Sequence, residues 1–463
     1  MRKFVKCAQL FTGNSNQPVG GGVLVVEDDG AISYAGPAAG AGAPGEGVEV
    51  LDYSSYFVMP GMIDVHTHLA YGNAKSEEDI DLYQPMEFRS LRGLFFAQKV
   101  LAAGFTSICA PGDAGQLSLS VRNAINFGMF DGPRVTAAGR YLTTRQGLTD
   151  WYPTWIGVPE TSIGRLVTSR DEAIEEVRRQ VKNGVDCIKI ALDGFHRRPN
   201  GELVAAFTQD ETTAIVEETH RLGKRVVVHA RGREATLYAA RAGVDLIFHA
   251  YYLDDECLEA MLRTGSAIGP TMTFPRNIIE FTQPHEPARQ RGRHEDNRRE
   301  YEIACVNLAK AREAGVPMMI GTDSGFAVTP YGEWHARELE IFVEDLGFTP
   351  AQALRCATEV SARFLADCDR VGVLEAGRQA DFIAVDGSPL EDISLLQDKR
   401  RIRHVHLGGK RMEIPNRSYD PRKVTDQAWA NWTDIYTQER VDQLQLRPRQ
   451  QPAARPAKRT ATV

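Results

Sequence analysis

Four short apolar runs, each closing on a metal-type ligand, constrain this chain more than any bulk property. The first, Val58 to His68, reads VMPGMIDVHTH and carries two imidazoles, His66 and His68. A β-strand alternates its side chains, so residues two apart share a face and can grip one ion. The other three are Val226 to His229, Leu246 to His249 and Met318 to Asp323, each with its polar residue at the carboxyl end. In a (β/α)8 barrel the loops leaving the carboxyl ends of the strands converge on the active site. The pattern predicts an α/β protein, a (β/α)8 TIM barrel, working as a metal-dependent hydrolase.

The 463 residues exceed one minimal domain and suit a barrel of about 250 to 300 residues with a smaller module beside it. Gly22 to Val26 and Ala31 to Ala35 near the start read as strands, as do Gly372 to Val385 and Ile402 to Leu407 near the end. They predict a small β-sandwich module formed from both ends of the chain, residues 1–58 plus 368–415. Between them, residues 59–367 alternate helical and strand patterns, with eight strands expected and ligand candidates on the first, fourth, fifth, sixth and eighth. Residues 416–444, with Trp429 and Trp432, read as a helical extension. Residues 445–463, rich in Gln, Pro, Ala and Arg, read as a disordered tail.

A balance of 61 acids against 54 bases leaves a net charge of -7, which gives no global field for nucleic acid. No run approaches the roughly 18 apolar residues of a membrane span, and the basic start, Met1 to Cys7, lacks the apolar core of a signal peptide. A cytoplasmic enzyme acting on a small molecule is expected, without a nucleic-acid or membrane partner. The seven cysteines show no paired spacing and read as reduced, packed thiols.

Imidazole and carboxylate ligands in mixed coordination suit zinc, and also cobalt, manganese or iron, as one or two ions per chain. A single strand-end histidine is usually a satisfied structural residue. Here His66, His68, His229, His249 and Asp323 are all expected at one rim, and the lack of a cysteine among them disfavours a structural zinc. Lys189 stands in the apolar strand around Cys187 to Ile190, where an uncompensated ammonium is costly. Burial depresses a lysine pKa. The neutral amine can then add carbon dioxide to give a carbamate able to bridge two metals; pairing with a carboxylate, or orienting substrate, is the alternative role.

The stretches PGMIDVHTHL, IKI with Lys189, VVVHA, IFHA and GTDSG resemble the amidohydrolase superfamily in order and approximate spacing, as does VGVLEAGRQADFIAVD from Val371 to Asp386. The resemblance covers nearly the whole chain. It implies that His66, His68 and Asp323 hold one metal and His229 and His249 the other, with a carbamylated Lys189 bridging them, in a homo-oligomer. It also implies attack of a metal-held hydroxide on a polarised carbonyl, with Asp323 passing the proton to the leaving nitrogen.

Within the superfamily the chain is most similar to the branch of imidazolonepropionases and Xaa-Pro or acyl-amino-acid dipeptidases, whose substrate loop Gly139 to Thr144 resembles. Two departures stand out: Arg145-Gln146-Gly147-Leu148 replaces a common Gly-Gly-His run, and Arg231 stands where many relatives carry histidine. Tyr141, Arg231 and Tyr252, with Tyr251 and Thr271, are substrate-binding candidates, and Arg231 could form a bidentate pair with a carboxylate. Asp113, Asp150, Trp151 and Trp155 lie in loops that could cover the site, the tryptophans suiting an apolar or aromatic substrate. The expected reaction is cleavage of a C–N bond in an N-acyl amino acid or dipeptide-like amide.

The alternative substrate is an aryl or alkyl urea or (thio)carbamate. Relatives that cleave phenylurea and thiocarbamate herbicides resemble the chain in size and plan, but carry Asn-x-His where this chain has His66-Thr67-His68. A cyclic amidase ranks lower. A deaminase is disfavoured because Gly232 stands where related cytosine-type enzymes place a glutamate. An inactive scaffold would be expected to have lost ligands, and all six positions are kept.

Overall fold

The structure, a computed structural model, describes residues 1–290, 292–415, 417–420 and 432–447. The two ends of the chain meet in one eight-stranded sheet, in the order Lys410–Arg411, Ile402–Leu407, Phe382–Val385, Glu49–Pro60, Lys3–Leu10, Gly22–Val26 and Ile32–Pro37, with Val19–Gly20 also paired to Lys3–Leu10. Lys3–Leu10 runs parallel to Glu49–Pro60, and Phe382–Val385 pairs antiparallel with its far end, Ile383 opposite Met59. Backbone hydrogen bonds therefore join the termini, and Val5, Leu24, Val58 and Phe382 pack as one buried cluster on this sheet. The strand Glu49–Pro60 leads through Gly61 straight into the ligand-bearing segment. A Cβ at Gly61 would collide with the Thr106 side chain, so the crossing needs glycine.

The body alternates strands with helices. Met62–Asp64, Phe105–Ala110 and Arg134–Ala137 form one parallel sheet; Gly164–Leu166, Tyr141–Thr143, Cys187–Ala191, Arg225–Ala230, Leu246–His249 and Ala267–Gly269 form a second, in that order. Further backbone contacts connect them. Ala138 bridges Cys187, Ile268 bridges Met318, Thr67 bridges Ser324, and Val65 N donates to Ile320 O at 2.8 Å. Strands covered on both faces read as continuous apolar runs, and Ile188, Ile190, Val226, Val228 and Ile247 are all fully buried. The intervening helices start on side-chain caps. Ser169 accepts from Glu172 N ahead of Arg170–Lys182, and Thr208 with Glu211 forms a capping box ahead of Gln209–Arg221.

Several expectations change. Val316 to Asp323 makes one isolated bridge, Met318 to Ile268, in place of a continuous strand, and Asp323 itself leaves the extended region with φ 55°. Tyr141–Thr143 adds a strand beyond the expected third one, pairing with Gly164–Leu166. Among the described residues of 416–444, Gln438–Gln443 is helical, whereas Trp432 is buried in an irregular segment, its Nε1 donating to Thr282 Oγ1 at 3.2 Å. Trp429 lies outside the described residues. The expected tail begins too early, because Arg447 pairs with Glu340 at 2.9 Å; residues 448–463 lie outside the described residues. No helix among the described residues is long and apolar enough to cross a membrane.

Candidate active site

The ligand candidates converge at the carboxyl ends of the body strands. His66 Nε2 and His68 Nε2 lie 3.6 and 3.2 Å from Asp323 Oδ1. His66, His249 and Asp323 each offer a ligand atom within 4.8 Å of the other two. The tightest group thus takes His249 from what the resemblance made a separate set. The His229 and His249 rings are 4.6 Å apart, and the Lys189 amine sits 4.0 Å from the centre of the Phe248 ring, on which His66 stacks at 3.6 Å.

This floor is incomplete on its own. His66 Nδ1, Lys189 Nζ, His229 Nε2 and both ring nitrogens of His249 are buried without a hydrogen-bond partner among the described residues. His229 Nε2 approaches Asp193 Oδ1 to 3.1 Å, out of alignment for a hydrogen bond. Leaving such atoms unpaired costs about 1–3 kcal/mol each. Burial, with Lys189 and the other imidazoles nearby, holds His66 well below the usual histidine value. Burial and the neighbouring His229 and Lys189 do the same to His249. His229 is lowered by burial, and burial brings Lys189 down to about 7. Neutral imidazoles, a carboxylate and an amine poised to lose its proton, with no thiol among them, fit a divalent transition metal.

Neighbouring groups fix the orientation of these donors. His68 Nδ1 donates to Gly112 O at 2.7 Å, which leaves Nε2 facing Asp323 and the Tyr141 hydroxyl at 3.0 Å. Tyr71 stacks on the His68 ring at 4.3 Å and shares a 2.8 Å hydrogen bond with Tyr141. Asp113 accepts from Leu69 N and Ala70 N, holding the turn after His68. Asp64, fully buried, accepts from His66 N at 2.9 Å, from Thr322 N at 3.2 Å and from His335 Nδ1 at 2.6 Å. His335 Nε2 accepts from Gly332 N, so the ring is a neutral donor to Asp64. Asp64 and His335 thereby clamp the backbones that present His66 and Asp323. Asp323 at φ 55° and His249 at φ 72° sit in the left-handed region, where a non-glycine residue persists only when its surroundings demand it.

A cavity of about 360 Å³ opens above the floor. Tyr71, Trp151, Phe195, Phe274 and Phe326 give it an aromatic lining, and Tyr141 and Arg231 also face it. Arg231 is already engaged, donating to Glu300 at 3.2 Å and to Gly194 O at 2.8 Å. Tyr252 lies outside the lining, its hydroxyl 3.4 Å from Glu300. Its neighbour Tyr251 faces the cavity and donates to the carbonyl of Thr271, a residue that does not. Trp151 is held by Asp81 at 2.9 Å, whereas Trp155 is 85% exposed and outside the lining, and Asp150 is occupied by Gln146 N. Sequence reasoning missed Asp193, Asp64 with His335, and Glu300. Asp193 follows the Lys189 strand by two residues, so the strand-end rule could have found it. Glu300 lies within the charged helix Arg293–Ala314, where nothing in the pattern marks it as buried.

Fold and site together define a hydrolase class: a TIM-barrel-like α/β body with a metal-type donor set at the strand ends. The amidohydrolase family profile matches residues 57–412, and the chain belongs to that family, as an enzyme acting on carbon–nitrogen bonds. The ochratoxinase of Aspergillus niger is 29% identical over 383 residues, covering 77% of this chain and 76% of that protein. A Xaa-Pro dipeptidase with methionine bound in its active site superposes with a TM-score of 0.78 at 28% identity, covering 89% of this chain and all of that one. A prolidase complexed with N-methylphosphonate-L-proline gives 0.77 at 25% identity, covering 90% of this chain and 100% of the other.

Proposed function

We propose that this protein is a divalent-metal-dependent hydrolase of a linear amide, an N-acyl amino acid or dipeptide-like substrate. The observation that carries the reading is the group of unpartnered nitrogens beside Asp323 at the bottom of a cavity of substrate size. The similarity to a dipeptidase and a prolidase supports a carboxylate-bearing amide. His66, His68 and Asp323 would hold one ion, His229 and His249 a second, and Lys189, as its carbamate, would join them. A single ion on His66, His249 and Asp323 is the minimal arrangement. Zinc suits these donors, as do cobalt, manganese and iron. The metal, when bound, supplies Lewis acidity and an activated water. Asp323 accepts the proton of the nucleophile and delivers it to the leaving nitrogen, while Tyr141, fixed between His68 and Tyr71, orients the scissile carbonyl and Arg231 offers positive charge to the substrate's far end. The backbone links through Ala138, Ile268 and Val65 support closure of the body strands into an eight-stranded barrel, residues 59–367. The module expected from 1–58 plus 368–415 has its strands in one eight-stranded sheet, which would have to fold over on itself to make a β-sandwich.

A second reading, an aryl urea or carbamate hydrolase, draws on the aromatic lining and on Arg231 being already engaged by Glu300. Release of free amine from N-acyl amino acids, Xaa-Pro and other dipeptides, arylureas and carbamates by the metal-loaded protein decides between them. Turnover of the carboxylate-bearing amides is expected; turnover confined to ureas or carbamates would overturn the amide reading.

A further inference from the structure

The strand that carries Lys189 ends at Ala191, and a hairpin follows it, Asp193–Arg197 paired antiparallel with Leu203–Ala205, which brings Phe195 and Arg197 into the cavity wall. Its first residue, Asp193, is fully buried. One carboxylate oxygen is committed to the backbone: Oδ2 accepts from Arg231 N at 2.8 Å and from Gly232 N at 2.7 Å, where the chain leaves the Arg225–Ala230 strand. The main chain beside it is held as well. Leu148 N donates to Asp193 O at 3.2 Å, Leu192 N donates to His229 O at 2.9 Å, and a Cβ at Gly194 would stand 2.7 Å from the Gln146 carbonyl oxygen. Asp193 therefore has little freedom to swing its second oxygen elsewhere.

That second oxygen, Oδ1, is buried with no hydrogen-bond partner among the described residues, and so is His229 Nε2, 3.1 Å away and slightly out of line. Left apart, each unpaired atom costs about 1–3 kcal/mol; a small turn of the imidazole satisfies both at once. A carboxylate only accepts, so in that pair Nε2 carries the ring proton and the neutral ring keeps its lone pair on Nδ1. His229 also lines the cavity, so Nδ1 is the atom this arrangement leaves for an ion. His68 is set the other way: its Nδ1 donates to Gly112 O, and its Nε2 faces Asp323. Two partners of different kind thus fix two histidines of the floor in opposite tautomers.

Resting on the metal-dependent reading of this site, we propose that Asp193 is a positioning residue for His229: its Oδ1 takes the Nε2 proton and leaves Nδ1 free to hold the ion, while its Oδ2 ties the ring's orientation to the strand exit. The same residue bonds Leu148, which lines the cavity, so a metal ligand and part of the substrate wall are set from one point. A partner of this kind is worth about 10- to 100-fold in metal affinity.

The test is zinc affinity, measured by competition with a chelating dye, for the wild type, Asp193→Asn, Asp193→Ser and the same two changes in a His229→Ala background. Asparagine keeps an oxygen for Arg231 N and Gly232 N but turns an amide N–H toward His229 Nε2, which drives the ring proton onto Nδ1. Serine is too short to reach the ring and leaves the tautomer unforced. Affinity should therefore fall about 10- to 100-fold in Asp193→Asn and by less in Asp193→Ser, whereas a purely structural cap would rank the isosteric asparagine nearest the wild type. The melting temperature of the metal-free protein, taken alongside, should hold in Asp193→Asn. Either change should have almost no further effect once His229 is alanine, the mark of a group that acts through that ring. Unchanged affinity in Asp193→Asn, or an equal loss with and without His229, overturns the inference and leaves the metal-dependent reading standing. A wild type that takes up no zinc overturns both.

Discussion

The floor and the wall of the cavity bury polar groups by opposite means. On the floor, His66, Lys189, His229 and His249 carry nitrogens with no hydrogen-bond partner among the described residues, while in the wall Arg197, Glu300, Trp151 and Asp81 are tied to protein partners and Arg231 is held by Glu300 and Gly194 with only its Nε left over. A floor left unpaired is ready for an ion. A wall already paired keeps its shape before substrate arrives, so little ordering remains for binding to drive. The contrast teaches that reactivity here is concentrated in groups the fold declines to satisfy, and selectivity in groups it satisfies in advance.

The largest expected effect is at the floor. Asp323→Asn keeps an oxygen ligand but removes proton transfer, so kcat should fall by about 10²- to 10⁴-fold with the metal content largely retained. Near-normal turnover would remove the proton-shuttle role and blur the contrast. Next comes the clamp beneath it. His335→Asn removes the imidazole that donates to Asp64, and metal affinity should drop about 10- to 100-fold, measured by competition with a chelating dye. Unaltered affinity would show that the floor needs no such support.

The smallest effect is in the wall. Burial raises Asp81 to about 6, against the partial opposition of hydrogen bonds from Ser162, Ile163 and Trp151. Between the ordinary value of 3.8 and about 6, the folded protein binds a proton the unfolded chain has released, so this group's contribution to stability falls as pH rises through that window. Relative to wild type, the melting temperature of Asp81→Asn should therefore climb from about pH 4 to about pH 6 and then level off. The same variant leaves one acceptor oxygen for two donors, Trp151 Nε1 and Ile163 N, and should change KM by only about 2- to 10-fold, the scale of one lost hydrogen bond. A melting difference independent of pH would show that Asp81 is not held as a buried acid.

The floor was largely legible in the sequence because strand periodicity and strand-end position are local properties. His66 and His68 announce themselves by their spacing, and Lys189 by its apolar neighbours. The eighth segment was readable as a ligand carrier but not in its geometry, since the turn at Asp323 depends on Asp64 gripping Thr322 from 258 residues away. Gly321 shows the same dependence: a Cβ there would stand 2.9 Å from His66 Cβ, a restriction set by the strand beside it. The wall was legible only in part. Tyr141 and Arg231 face the cavity, but Tyr252 turns away, and the burial of Glu300 follows from tertiary packing that a helical charge pattern does not encode. The joining of the two termini was foreseen from their shared strand character, while its register, Ile383 opposite Met59, rests on long-range pairing.

The measurement that tests the central claim most directly is metal analysis of the protein purified after expression with added zinc, with His249→Ala prepared in parallel. One to two equivalents of transition metal per chain are predicted for the wild type, with a clear loss in the variant. Well under one equivalent in the wild type would contradict a metal-holding floor.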